Sequence, residues 1–121
     1  MLGSNGDEGD GIVLVYATFP DLASAETIAA DLVEVGLAAC ANLNPGMRSV
    51  YRWQGMVERS DEVAAIFKTR ARLAARLIGW LRVAHPYTNP AAVVLPAVGG
   101  SQAFLSWIAA ETRRAAPKAR C

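Results

Sequence analysis

The run Ile12-Val13-Leu14-Val15-Tyr16-Ala17-Thr18-Phe19 is almost unbroken in its apolar character, the pattern of a central strand buried on both faces. Pro20-Asp21 opens a turn. Ala25, Ile28, Ala29, Leu32 and Val35 then recur at helical spacing, with Glu26, Thr27, Asp31 and Glu34 outside the stripe. Gly36 suits the end of that helix. Leu37 to Leu43 reads as a second strand, and Asn44-Pro45-Gly46 interrupts it as a bend or bulge. Arg48 to Trp53 continues extended, placing Ser49, Tyr51 and Trp53 on one face, before the turn signal Gln54-Gly55. Met56 to Glu62 is polar and extended, and Val63 to Thr69 is a third strand. Arg70 to Ala84 predicts a second helix with the stripe Leu73, Leu77, Trp80, Leu81 and Ala84, while Arg72, Arg76 and Arg82 form a solvated face. His85-Pro86 ends it, because a residue before proline disfavours the helical region. Ala91 to Val98 is a fourth strand, and Ser101 caps a last helix carrying Phe104, Trp107 and Ile108.

Strand, helix, two strands, helix, strand is the order of a split βαβ, or ferredoxin-like, α+β fold. An antiparallel sheet carries the helices on one face, and here an extra C-terminal helix follows. The first and third strands are too apolar to leave the other face to water. The simplest cover is another copy of the chain, with the long hairpin of strands two and three offering edges for pairing. One domain spans residues 12–112. Residues 1–11, rich in Gly and Asp, read as a mobile leader, and 113–121 as a basic tail.

Composition narrows the function. The chain has 121 residues, 53% apolar and 19% charged. That is a packed domain whose charge share lies below the usual quarter or so, again pointing to surface covered by assembly. A net charge of +1 gives no field to steer nucleic acid or a membrane surface. No apolar run reaches the roughly 20 residues that span a bilayer, and the leader lacks a basic-then-apolar signal pattern, so the reading is cytoplasmic. With one histidine, no Gly-x-Ser-x-Gly and no phosphate-binding Gly-rich loop, neither an enzyme nor an organic cofactor is expected.

Two candidate sites stand out. For a metal, Cys40 and His85 are the core-region donors, soft thiolate suiting Cu(I) and imidazole suiting Cu(II). A carboxylate from Glu58, Asp61 or Glu62 would complete the set. Against this, Cys40 lies in the apolar run Ala38-Ala39-Cys40-Ala41, as a packed structural thiol does, and Cys121 reads as a loose tail thiol. His85 also suits a capping or interface role. For a small ligand, Tyr51, Trp53, Lys68, His85 and Tyr87 supply aromatic walls and donors for an anionic or planar group. Tyr51 and Trp53 equally suit interface packing. Lys68, a cation in an apolar strand, must reach water, a carboxylate such as Glu62, or a ligand.

In family order, the chain carries Thr18-Phe19-Pro20-Asp21, Leu37-Ala38-Ala39-Cys40-Ala41-Asn42-Leu43, Pro45-Gly46 and Ser49-Val50-Tyr51-Arg52-Trp53-Gln54-Gly55. Glu62 with Lys68-Thr69, His85-Pro86-Tyr87 with Pro90, and Trp107-Ile108 follow. Over residues 12–112 it closely resembles the CutA family of divalent-cation-tolerance proteins. The resemblance implies a tight homotrimer of ferredoxin-like subunits whose hairpins extend neighbouring sheets. It also implies a link to tolerance of divalent metals, copper above all. The trimer it implies is similar to that of the PII signalling proteins, which bind small effectors between subunits, and this is the alternative function. Thr88 and Ala91 stand where the family commonly has glutamate, which removes two oxygen donors beside His85-Pro86-Tyr87.

Overall fold

The computed structural model describes residues 11–112. The leader, Gly11 apart, and the basic tail with Cys121 lie outside the described residues. Four strands, β1 (Ile12–Phe19), β2 (Cys40–Trp53), β3 (Met56–Arg70) and β4 (Ala92–Pro96), form one sheet in the order β2-β3-β1-β4. Each adjacent pair is antiparallel. Helix α1 (Leu22–Glu34) follows β1, α2 (Ala74–Ala84) follows β3, and α3 (Gln102–Glu111) closes the described chain. With β3 lying between β1 and β2, this is the ferredoxin-like α+β arrangement expected from the order of elements.

Period-two alternation fixes which side chains meet the helices. Val13, Val15, Ala17 and Phe19 of β1 stand opposite Thr69, Phe67, Ala65 and Val63 of β3, and all eight are buried. Ala25, Ile28, Ala29 and Leu32 of α1, with Leu77 and Leu81 of α2, complete that core. Asp21 starts α1 by accepting the Ser24 amide hydrogen bond on Oδ1 at 2.8 Å, and Ser101 does the same for α3 at Phe104. These caps satisfy amides that a first helical turn leaves without partners.

Three expectations shift in detail. The second strand begins at Cys40 rather than Leu37, because the Leu37 and Ala38 amides still bond back to the Leu32 carbonyl at the end of α1. The second helix opens with a 3-10 turn at Ala71–Leu73. Two strand segments read on either side of Asn44-Pro45-Gly46 are one strand with a bulge: Asn44 faces Ala64 and Met47 faces Glu62, so Pro45 and Gly46 stand opposite the single residue Val63.

The sheet face away from α1 and α2 is only partly covered. Arg70, on that face, reaches the C-terminus of α3 through Nε to Thr112 Oγ1 at 3.1 Å and a terminal nitrogen to the Thr112 carbonyl at 2.9 Å. Ile108 is buried, yet lies outside the core built on α1 and α2. Helix α3 therefore closes the lower end of this face, over β1 and β3. Above it, Leu14, Tyr16, Ile66 and Cys40 stay half-buried, while Val93 and Leu95 are exposed.

Candidate functional site

Where β1 ends at Phe19, opposite Val63, the hairpin β2-β3 runs on alone to its tip, seven residues further along β3, an arm of roughly 20 Å at strand rise. Gln54 (φ 52°) and Gly55 (φ 83°) form that tip, the two positive φ values of a two-residue I′ turn. At the root of the arm a cluster of linked polar side chains forms around His85, Tyr87 and Glu62. His85 ends α2 with its own amide bonded to the Leu81 carbonyl at 2.8 Å, and its extended backbone follows from Pro86. Its ring turns inward, 7% exposed, stacked on Phe19 at a centroid distance of 4.4 Å.

The His85 ring has two partners. Nε2 lies 2.7 Å from the Thr18 carbonyl oxygen, and Nδ1 accepts the Tyr87 amide at 3.0 Å. A carbonyl can only accept and an amide only donate, so the ring is the neutral form with its proton on Nε2. Tyr87, tilted against His85 at 4.9 Å, sends its phenol to Glu62 Oε2 at 2.8 Å. Burial, then the Glu62 hydrogen bond and charge, with smaller contributions from Tyr51 and Asp21, push the Tyr87 phenol up to about 12. It therefore remains a neutral donor to the Glu62 carboxylate.

His85, Tyr87 and Glu62 are thus brought together. Cys40 and Lys68 are not part of that cluster. Cys40 pairs with Lys68 near the other end of the sheet, six positions along β3 from Glu62, or roughly 20 Å. Cys40 is half-buried rather than packed in the core. As the first residue of β2 it faces away from the helices, while its neighbour Ala41 packs toward them. Lys68 donates to Asn42 Oδ1 rather than to Glu62. No group of three or more His, Cys, Asp or Glu among the described residues has the spacing to hold a metal ion. The sequence did not single out Phe19 or the Thr18 carbonyl as parts of the His85 cluster. The Thr-Phe-Pro-Asp motif was the available signal, since a motif spanning a strand end marks a positioned loop.

Tyr51 and Trp53 share the face of the arm that carries Met47, facing Glu58 and Met56 respectively, and are 42% and 59% exposed. Met47 anchors that face to the sheet by accepting the Tyr16 hydroxyl on sulfur at 3.4 Å. On the opposite face, Arg48 and Asp61 form an exposed ion pair at 2.8 Å, of little energetic weight in water.

Residues 13–111 match the family described as CutA1 divalent ion tolerance protein. A divalent-cation tolerance protein CutA of Pectobacterium atrosepticum is 40% identical over 101 residues, 84% of this chain and 92% of that one. One from Salmonella newport is 43% identical over 101 residues, covering 84% and 88%. Among solved structures, CutA of Xylella fastidiosa superposes with a TM-score of 0.82 at 40% identity, covering 84% of this chain and 97% of its own. The Thermus thermophilus protein does so with 0.81 at 40% identity, covering 84% and 98%. With matches of this length in both sequence and fold, the chain belongs to the CutA1 family of divalent-ion tolerance proteins.

Proposed function

We propose that the chain works as a cytoplasmic homotrimer in divalent-cation tolerance, meeting copper or another divalent cation at the boundary between copies. The observation that carries this reading is the uncovered sheet face with its projecting arm. Val93, Leu95, Tyr51, Trp53 and Met56 are all exposed there, and the arm offers backbone edges beyond the end of β1. An isolated subunit leaves both the apolar surface and the edges to water, which further copies would cover.

A one-subunit metal site does not fit the residues present. Cys40 and Glu62 stand near opposite ends of β3, and both His85 nitrogens are engaged. Cys40 and Glu62 share one face of the sheet, however, and both are half-exposed. Only a second copy can bring such donors near each other. Native mass spectrometry during a copper titration tests the reading. A trimer with fixed, saturable uptake that is lost in Cys40→Ala with Glu62→Gln is expected. A trimer that stays metal-free under the same titration sinks the metal half, and a monomer sinks both halves.

A second reading is favoured by Lys68, a half-buried cation on the same uncovered face whose hydrogen-bond partner among the described residues is a neutral amide, Asn42. It would suit an anionic effector in a cleft between subunits, as in the PII-like alternative. A thermal-shift hit with an anionic metabolite that chelators leave intact and Lys68→Ala abolishes would select it.

A further inference from the structure

We infer that His85 is the positioning residue of the corner at the root of the arm, and not a metal ligand: its ring ties the Tyr87 loop to the end of β1 and so sets the Tyr87 phenol on the Glu62 carboxylate. The inference rests on geometry within one subunit and stands whether or not the proposed assembly takes up an ion. A metal needs a deprotonated ring nitrogen with a free lone pair. Nε2 carries its proton toward the Thr18 carbonyl at 2.7 Å, and the Nδ1 lone pair takes the Tyr87 amide at 3.0 Å. One face of the ring is closed by Phe19 at 4.4 Å, and the residue is 7% exposed. Coordination at Nε2 would leave the buried Thr18 carbonyl without this partner, and coordination at Nδ1 would do the same to the part-buried Tyr87 amide, a cost folded proteins generally avoid.

The chain of contacts then has a direction. Thr18, at the end of β1, fixes the ring; the ring fixes the Tyr87 amide; and the Tyr87 hydroxyl reaches Glu62 Oε2 at 2.8 Å. Glu62 faces Met47 directly after the bulge, so this corner joins α2, β1 and the base of the arm. What it offers a ligand is a carboxylate with one oxygen already oriented, not an imidazole.

His85 is the chain's single histidine, so its ring signals need no assignment in an untagged protein labelled with 15N-histidine. The metal-free protein is expected to show one neutral ring with the proton on Nε2, unchanged when zinc is added in excess. Metal uptake is followed separately by mass, so loss of the metal reading is told apart from failure here. A ring protonated on Nδ1, or a ring nitrogen shifted in step with zinc uptake, would overturn the inference. Positioning is read from hydrogen exchange at the Tyr87 amide. His85→Asn keeps an acceptor near the Nδ1 position and should keep most of the protection, whereas His85→Gln lacks it and should lose at least tenfold. Equal protection in the two variants would refute the role.

Discussion

Tyr87 and Thr69 show opposite treatments of a polar side chain. The Tyr87 phenol is pushed up to about 12, mainly by burial and then by Glu62, against an ordinary value near 10. The folded state therefore keeps a proton that the unfolded state has already lost between those values. Stability from this source is fully present below about pH 10 and falls as pH rises toward about 12. In a urea-unfolding series from pH 8 to 11.5, Tyr87→Phe should be less stable at pH 8, by about 1 kcal/mol for a lost hydrogen bond to a partly exposed carboxylate. Its decline above pH 10 should be shallower than that of the natural protein. Parallel curves would mean that another group governs alkaline stability. Thr69, opposite Val13 of β1, is fully buried, with no partner for its hydroxyl. Thr69→Val keeps the shape and removes the orphaned oxygen, so it should raise stability by about 1 kcal/mol. The check is the urea midpoint at unchanged slope and fixed protein concentration. A lower midpoint would show that the hydroxyl is satisfied in solution.

Among the elements, the hairpin β2-β3 carries the most information about how sequence became site. Its tip places Gln54 at φ 52°, a conformation unfavourable to a side chain without a short polar group. Gln54→Asn should stabilise the hairpin by several tenths of a kcal/mol, about half the usual left-handed penalty. It should also slow amide exchange in the Trp53–Met56 pair; unchanged exchange there would place the weak point elsewhere. At the bulge, Gly46 has φ +86° with open space around it. Gly46→Ala therefore meets no clash but pays the left-handed cost of about 1 kcal/mol. Both turns were legible, because Gln-Gly and Asn-Pro-Gly are local signals. The β1 core was legible for the same reason, its nearly continuous apolar run needing no distant partner to be read as a strand. The Cys40 exposure was not. Its neighbours Ala38 and Ala39 are buried at the close of α1, and only the register Cys40–Lys68 turns its side chain to the other face. Likewise the ring contacts of His85 depend on Thr18, 67 residues earlier, a long-range closure that no spacing within the sequence expresses.

At the scale of the molecule, one face of the sheet is finished and the other is not. The helix side buries a continuous core, whereas the other side ends α3 at Arg70 and leaves the upper sheet and arm bare. Trp53 and Tyr51, on the same face of the arm as Met47, put the largest aromatic area there. Such residues lose little side-chain entropy on docking and dominate many interfaces. If the arm is an anchor between copies, truncating each should weaken association by about 2 kcal/mol or more, roughly thirtyfold in the dissociation constant per residue. Sedimentation velocity of Tyr51→Ala with Trp53→Ala over a dilution series is the test, with circular dichroism to verify that the subunit fold persists. The helix-side core contains neither residue, so the variant should fold and yet dissociate at concentrations where the natural chain stays assembled. An assembly equally resistant to dilution would take the two aromatics out of the interface. They would then become candidates for stacking a planar ligand, 42% and 59% exposed on the same face as Glu62.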